Sequence, residues 1–259
     1  MKCKLDLHIH TKASKCFKDD NQDNDSVNRA IIQKAKNKRL DLIAVTDHYT
    51  LKNYAGIKAI GLKENIKVLP GIELSISLVR NADKKTKNQI YKTENLLENS
   101  ISNGVKTDTP EKLSLVVIFS EKNDLKNLEN KLLSELKVPD NENGNGKFLI
   151  DKKLSDVVKI LNKYNGLIIS AHQDKNESRM LSIPILIKLG ICLFDLRYPE
   201  KKEEFIERYS RYNIVPLTFS DCHEVNNVGK YSMGLSLTEC SFDGFKEYLE
   251  SNLRTNYEN

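Results

Sequence analysis

Seven apolar runs set the frame of this chain. They cover residues 4–10, 40–47, 66–77, 113–120, 166–171, 191–196 and 214–220. Each is rich in Leu or β-branched residues and nearly continuous in hydrophobicity, the pattern of parallel strands buried on both faces. Segments of helical period lie between them. Ser26 is placed to cap a helix with Val27, Ala30, Ile31 and Ala35 on one face. Residues 124–137 align Leu125, Leu128, Leu132 and Leu136, and Leu154, Val157, Val158 and Leu161 repeat the stripe. Phe205, Ile206 and Tyr209 suggest another helix, and Ser241 is placed to cap a last one carrying Phe245, Tyr248 and Leu249. This alternation predicts βαβ units and a parallel sheet. Seven strands, with no Gly-rich fingerprint after the first, favour a barrel over a dinucleotide-binding sheet.

A length of 259 residues suffices for one large α/β domain, here read as a single domain over 1–259. Two polar insertions interrupt it, near 80–112 and 139–147. An apolar fraction of 39% with 30% charged residues excludes collagen-like, disulfide-framework and wholly disordered classes. No apolar run is long enough for a membrane span, and the first residues carry no apolar export segment, so the reading is a cytoplasmic protein with no membrane partner. The five cysteines are odd in number and irregularly spaced, and are read as reduced thiols. The net charge of +5, carried mostly by Lys, is a weak pointer to an anionic partner.

The histidines carry the functional argument. There are five, and all fall at the ends of apolar runs: His8 and His10 close the first, and His48, His172 and His223 follow the second, fifth and seventh. Glu73 lies in the third run, and Asp221 precedes His223 by two. In an α/β barrel the C-terminal strand ends share one face, so these side chains converge there. Imidazole and carboxylate together suit Zn²⁺, Mn²⁺ or Fe. Residues two apart in a strand share a face, so His8 and His10 can grip one ion, as can Asp221 and His223. A carboxylate such as Glu73 can bridge two ions about 3.5–4 Å apart, which together activate water and clamp a phosphoryl group. Arg197, Lys12 and Lys15 are candidate phosphate partners, and Asp47 is read as orienting an imidazole rather than binding metal.

Five motifs in this order resemble the PHP (polymerase and histidinol phosphatase) family of metal-dependent phosphoesterases. They are Asp-Leu-His-Ile-His at 6–10, Thr-Asp-His at 46–48, Pro-Gly-Ile-Glu at 70–73, Ala-His at 171–172 and Ser-Asp-Cys-His at 220–223. The resemblance implies a distorted (βα)7 TIM-like barrel, the PHP fold, holding two to three divalent ions. Carried over, His8, His10, Glu73 and Asp221 hold the first ion, Glu73 and His172 the second, and His48 and His223 the third. His8, His10, Asp221 and Arg197 are the expected catalytic residues. The family has a further histidine where this chain has Cys16, whose thiolate can substitute and favours zinc over manganese. A fourth-strand histidine of the family is replaced by Ser114, which leaves the second site incomplete.

Thr-Lys-Ala-Ser-Lys-Cys-Phe at 11–17, the fourth-strand sequence and the closing Phe-Asp-Gly-Phe segment resemble PHP domains found with AAA- or SMC-like ATPases. That implies an ATPase partner, since this chain has no Walker A motif. Three functions follow from the resemblance. The first is a nuclease hydrolysing DNA or RNA through metal-activated water. The second is a small-molecule phosphatase of histidinol-phosphate or nucleotide type. The third is a catalytically weak metal-binding module that partners an ATPase.

Overall fold

The computed structural model describes residues 1–18, 22–77, 112–175 and 183–254. The insertion expected near 80–112 falls outside them, save for Lys112. The strands are β1 (Lys2–Ile9), β2 (Leu42–Val45), β3 (Lys67–Ser77), β4 (Lys112–Ile118), β5 (Leu167–Ala171), β6 (Leu193–Asp195), β7 (Val215–Leu217) and β8 (Met233–Ser236). The helices around them are α1 (Asn24–Asn37), α2 (Tyr54–Lys63), α3 (Leu125–Leu136), α4 (Leu154–Lys163), α5 (Ile183–Lys188), α6 (Lys202–Arg208) and α7 (Phe242–Arg254).

The strands form one sheet in the order β7-β6-β5-β4-β3-β2-β1-β8, a nearly closed barrel. The seven expected strands are all present. The expected all-parallel arrangement is corrected in two places. β4 runs antiparallel to both β3 and β5, and an eighth strand, β8, runs antiparallel to β1. Direction is not written in a buried apolar run, which reads the same either way. β8 escapes detection because its four residues alternate weakly and two of them are exposed.

Inward faces of the strands fill the barrel with Leu5, Leu7, Leu42, Leu69, Val116, Ile118 and Ile169. The outward faces pack under the helices: Ile72, Leu74, Leu115 and Val117 meet the α3 and α4 stripes, while Ile9, Ile43, Val45 and Val68 meet α1 and α2. α7 adds Phe242, Phe245 and Leu249 to the barrel interior. Helix ends follow local chemistry. Asp23, not Ser26, caps α1: its carboxylate accepts from Ser26 N–H at 2.9 Å and from Ser26 Oγ at 2.7 Å. Ser241 does cap the start of α7, its Oγ accepting from Gly244 N–H at 3.1 Å.

One cysteine expectation is overturned. Cys3 and Cys240 form a disulfide, while Cys16, Cys192 and Cys222 are free. Pairing of β1 with β8 puts Cys3 opposite Leu235 and brings the start of β1 beside the β8–α7 connection, a proximity that a sequence separation of 237 conceals. Among the described residues, no helix is long and apolar enough to cross a membrane.

Phe245 is fully buried in the barrel interior. Phe245→Ala is expected to cost about 3–5 kcal/mol of unfolding free energy through lost burial and a residual cavity. Urea melts of the two proteins measure the difference. A loss under about 1 kcal/mol would show that α7 does not seal the barrel.

Candidate metal centre

β1 is the first element of the site, and it works through a bulge. Its register with β2 shifts between Asp6 and Ile9. Before the shift, Cys3, Leu5 and Leu7 face the barrel interior; after it, Ile9 faces the outer core. The extra residue therefore turns His8 and His10 inward, the re-aiming that bulges perform beside functional sites. Glu73 projects from mid-β3, and His48 is drawn to it by a bridge between the two backbones. His172 and Asp221 follow the ends of β5 and β7 with φ of 57° and 46°. Neither is glycine, so both left-handed conformations are strained.

These side chains meet closely. Glu73 Oε2 lies 3.6 Å from His8 Nε2 and 3.2 Å from both His10 Nε2 and His48 Nδ1. Asp221 Oδ1 lies 3.3 Å from His8 Nε2, 3.4 Å from His10 Nε2 and 3.6 Å from His223 Nδ1. Its Oδ2 faces the other way, 3.4 Å from His172 Nε2 and 3.3 Å from Arg197 Nη1. These side chains form two donor groups, His8–His10–Glu73–Asp221 and His10–His48–His223. His172 reaches Asp221, so Asp221 joins the first group to His172, while Glu73 stands between the first group and His48.

Orientation comes from carboxylates behind the ring of donors. His8 Nδ1 lies 3.0 Å from Asp195 Oδ2, and Asp195 Oδ1 accepts from Phe219 N–H at 3.1 Å. His10 Nδ1 lies 3.0 Å from Ser14 Oγ, which donates to Asp47 Oδ1 at 2.7 Å. With Ser14 donating onward, His10 Nδ1 carries the hydrogen and Nε2 offers its lone pair to the centre. Asp47 thus orients an imidazole as expected, although through Ser14 and onto His10 rather than the adjacent His48. Asp195 and Ser14 escaped the sequence reading. Asp195 is the next-to-last residue of the sixth apolar run, and that position is its one available signal.

The electrostatics follow from burial and mutual contact. Burial pushes the His8 and His10 imidazoliums down, but the facing carboxylates outweigh it. Asp221, Asp195 and Glu73 hold His8 well above its usual range, and Asp221 and Glu73 raise His10 to about 9. Burial pushes Glu73 and Asp221 up, yet the surrounding histidines hold both well below the usual carboxylate range. At the edges burial wins: His48 is pushed down to about 3 and His172 to about 4, leaving neutral rings with a lone pair each.

The donors fit a divalent cation. His8 Nε2, His10 Nε2, His48 Nδ1 and Asp221 Oδ1 are buried with no hydrogen-bond partner. Orphaned polar atoms of this kind are costly, and four converging ones call for a shared positive partner. The spacing agrees. Nitrogen and oxygen ligands about 2.0–2.1 Å from a tetrahedral zinc stand roughly 3.3–3.4 Å apart.

Cys16 stands outside both donor groups, and partial burial of its thiol pushes the pKa up to about 11. Lys15 Nζ donates to Asn141 O at 2.9 Å and Lys12 Nζ to Gln22 O, so both are tied to loop backbone. Arg197 lines a cavity of about 400 Å³ beside Asp221 and His172, with Tyr198, Lys230 and Tyr231 on its walls. Buried Asp174 holds the turn that carries Arg197, accepting from Arg197 N–H at 2.6 Å and Tyr198 N–H at 2.7 Å. Ser114 pairs with Ser75 on β3 and Ala171 on β5, facing the interior between Glu73 and His172.

The sequence matches no family model and no curated protein. Solved structures do resemble the fold. The lesion-specific endonuclease PfuEndoQ of Pyrococcus furiosus superposes with a TM-score of 0.65 at 15% identity, over 97% of this chain and 56% of that one. Endonuclease Q bound to a 27-mer duplex with an abasic lesion at its active site gives 0.63 at 15% identity, over 97% of this chain and 57% of that one. A two-domain Bacteroides vulgatus protein containing a predicted PHP-like metal-dependent phosphoesterase gives 0.60 at 14% identity, over 97% of this chain and 63% of that one. This chain spans a little over half the length of Endonuclease Q. At these identities the likeness defines the fold: an α/β barrel of the PHP type.

Two outcomes test the donor geometry. Asp195→Asn leaves packing intact but removes the charge behind His8. It is expected to weaken the tightest metal about 10–100-fold, read by calorimetric titration. Ser114→His puts an imidazole between Glu73 and His172 and is expected to add one bound metal equivalent, read by elemental mass spectrometry. Unchanged stoichiometry would reject the placement of Ser114 at the family's missing ligand.

Proposed function

We propose that this chain is a metal-dependent phosphoesterase that hydrolyses nucleic-acid phosphodiesters. The observation that carries the reading is the set of unpartnered, buried donor atoms of His8, His10, His48 and Asp221 at the mouth of a barrel. His8, His10, Glu73 and Asp221 hold the first ion. His48 and His223, with His10, hold another, to which Cys16 is the further candidate ligand. Glu73 and His172 hold the second ion of the family pattern, with Asp221 reaching His172. This donor set accommodates zinc or manganese, in two to three sites. The chemistry such ions supply is Lewis acidity and a water acidic enough to ionise near neutral pH.

The remaining work belongs to the protein. Asp195 and the Ser14–Asp47 pair hold the His8 and His10 rings, so the donors need no reorganisation as charge develops. Arg197 contacts Asp221 and faces the adjoining cavity, where its guanidinium can take phosphoryl oxygens in a forked contact. Lys230 adds a second cation on the same cavity wall. His8, His10, Asp221 and Arg197 are the proposed catalytic residues.

Nucleic acid is favoured as the substrate by the net charge of +5 and by the fold shared with Endonuclease Q, whose complex holds duplex DNA. A small-molecule phosphatase is the second reading. It is favoured by the cavity of about 400 Å³, which lies within the size range of small-ligand pockets. The module that partners an ATPase rests on Ser114 in place of a ligand and on the resemblance of 11–17 to ATPase-associated PHP domains.

The test is a Mn²⁺-supplemented time course on end-labelled single- and double-stranded DNA and RNA, with His8→Ala/His10→Ala protein alongside. Cleavage by the wild type that falls at least about 10³-fold in the double variant supports the nuclease. Cleavage that persists in the variant would identify a contaminant. Turnover confined to phosphomonoesters would replace the nuclease by the phosphatase.

A further inference from the structure

The polar segment at 139–147 is a strap across the barrel mouth on its His48 side. It is tied down along its length. Gly144 N–H donates to His48 O at 2.7 Å, Lys15 N–H to Gly144 O at 2.8 Å, and Lys112 Nζ to Gly146 O at 2.8 Å. Beyond it, the Tyr49 hydroxyl donates to Phe148 O at 2.7 Å and Ile150 N–H to Ser75 O at 2.8 Å.

Two glycines in this strap have no room for a side chain. Gly144 has φ +78°, and a Cβ there would meet Ala13 O at 2.2 Å. At Gly146 the obstacle is the imidazole itself: a Cβ would lie 2.4 Å from His48 Nε2, 2.7 Å from Cδ2 and 2.9 Å from Cε1. The bare backbone is therefore laid against that edge of the ring. The consequence is visible in which nitrogen faces inward. His8 and His10 present Nε2 and are held at Nδ1 by Asp195 and Ser14. His48 does the reverse, presenting Nδ1 at 3.2 Å from Glu73 with Nε2 against the strap. Among the described residues no side chain hydrogen-bonds to His48 Nε2.

We propose that Gly146 is a positioning residue of the metal centre. Its backbone takes the place of the hydrogen-bond partner that His48 lacks and fixes Nδ1 as the presented donor of the His10–His48–His223 group. The inference rests on the metal-binding reading of those donors. The contact between Gly146 and the ring is independent of it.

The experiment uses the full chain with Gly146→Ala, His48→Ala and their combination, and Lys147→Ala as a control for an exposed strap residue. In metal-free protein, Gly146→Ala is expected to lower the melting temperature and to change the His48 ring nitrogen shifts. Both effects should be absent in the ring shifts and melting of the other donors and of Lys147→Ala. In the His48→Ala background the added methyl should be tolerated, so the melting loss should shrink to near zero. That coupling would not arise if Gly146→Ala merely broke the strap. On metal titration, Gly146→Ala is expected to weaken one bound equivalent about 10–100-fold while the tightest equivalent is unchanged. Equal destabilisation in both backgrounds would overturn the contact, and with it the proposal. Coupling with an unchanged metal profile would overturn the positioning role. Should the wild-type protein bind no divalent metal, the donor reading fails, while the melting cycle still reports on the contact.

Discussion

Two carboxylates, buried Glu73 and half-buried Asp221, lie at the mouth of the barrel among five imidazoles, and the strand ends are arranged around that fact. Buried charge is expensive unless paired. Among the described residues Glu73 pairs with no arginine or lysine, and Asp221 meets only Arg197, whose own side chain is exposed. The compensation comes from histidine, delivered one or two at a time by separate strand ends. His8 and His10, each facing two or more carboxylates, are drawn towards the charged form, while burial keeps His48 and His172, each against one carboxylate, neutral. The centre thus has a gradient, with negative charge concentrated at two oxygens and lone pairs ringed around them. A divalent cation answers that arrangement better than protons do, because it can satisfy several orphaned donors at once.

The site also lies on the seam of the barrel. β7 and β1 are the ends of a run of strands in which β4 is the one reversed, and β8 fills the gap only at the start of β1. Nearer the mouth the closure is made by the residues of the site itself. Ile9 bridges Cys222, and His10 N–H donates to Cys222 O at 3.1 Å. Asp6, turned away from the interior below the bulge, accepts from Ser220 N–H and Gly229 N–H, both at 3.0 Å. The first and last ligand motifs are therefore stitched to one another, and the left-handed Asp221 sits inside the stitch. A strained residue costs about 1–3 kcal/mol and persists only where its neighbours over-determine it. Here the neighbours are the hydrogen bonds that close the barrel, so closure and ligand placement are one structural event.

How much of this could be read from the sequence depends on the kind of constraint. The apolar runs fixed seven strands because burial on both faces leaves a compositional trace. The histidines at their ends pointed to one face because strand ends of a barrel share it. Contacts set by backbone direction or by long-range closure left no such trace. The reversal of β4, the short β8 and the Cys3–Cys240 bond all belong to that group. The bulge in β1 is intermediate. Asp-Leu-His-Ile-His shows that His8 and His10 share a face, but not that Leu7 points inward beside them. Asp195 shows the limit most clearly. An acidic residue near the end of an apolar run has the same local signature whether it binds metal, orients a ring or caps a loop, and only the 3.0 Å contact with His8 decides.

The two sides of the centre are built differently, and this bears on how a substrate could approach. On the His48 side the strap presses backbone against the ring, and Lys15 and Lys112 are committed to strap carbonyls. On the Asp221 side the wall opens into a cavity, with Arg197 and Lys230 uncommitted to strap backbone and His172 at its edge. Cations that hold the fold lie on the strap side, and cations that face open space lie on the other. Under the proposed function, a phosphoester entering that cavity would come past Arg197 and meet Asp221 Oδ2 before Glu73. That asymmetry assigns different duties to the two carboxylates. Glu73 is enclosed and holds donors together, whereas Asp221 stands where bound ions and substrate would meet.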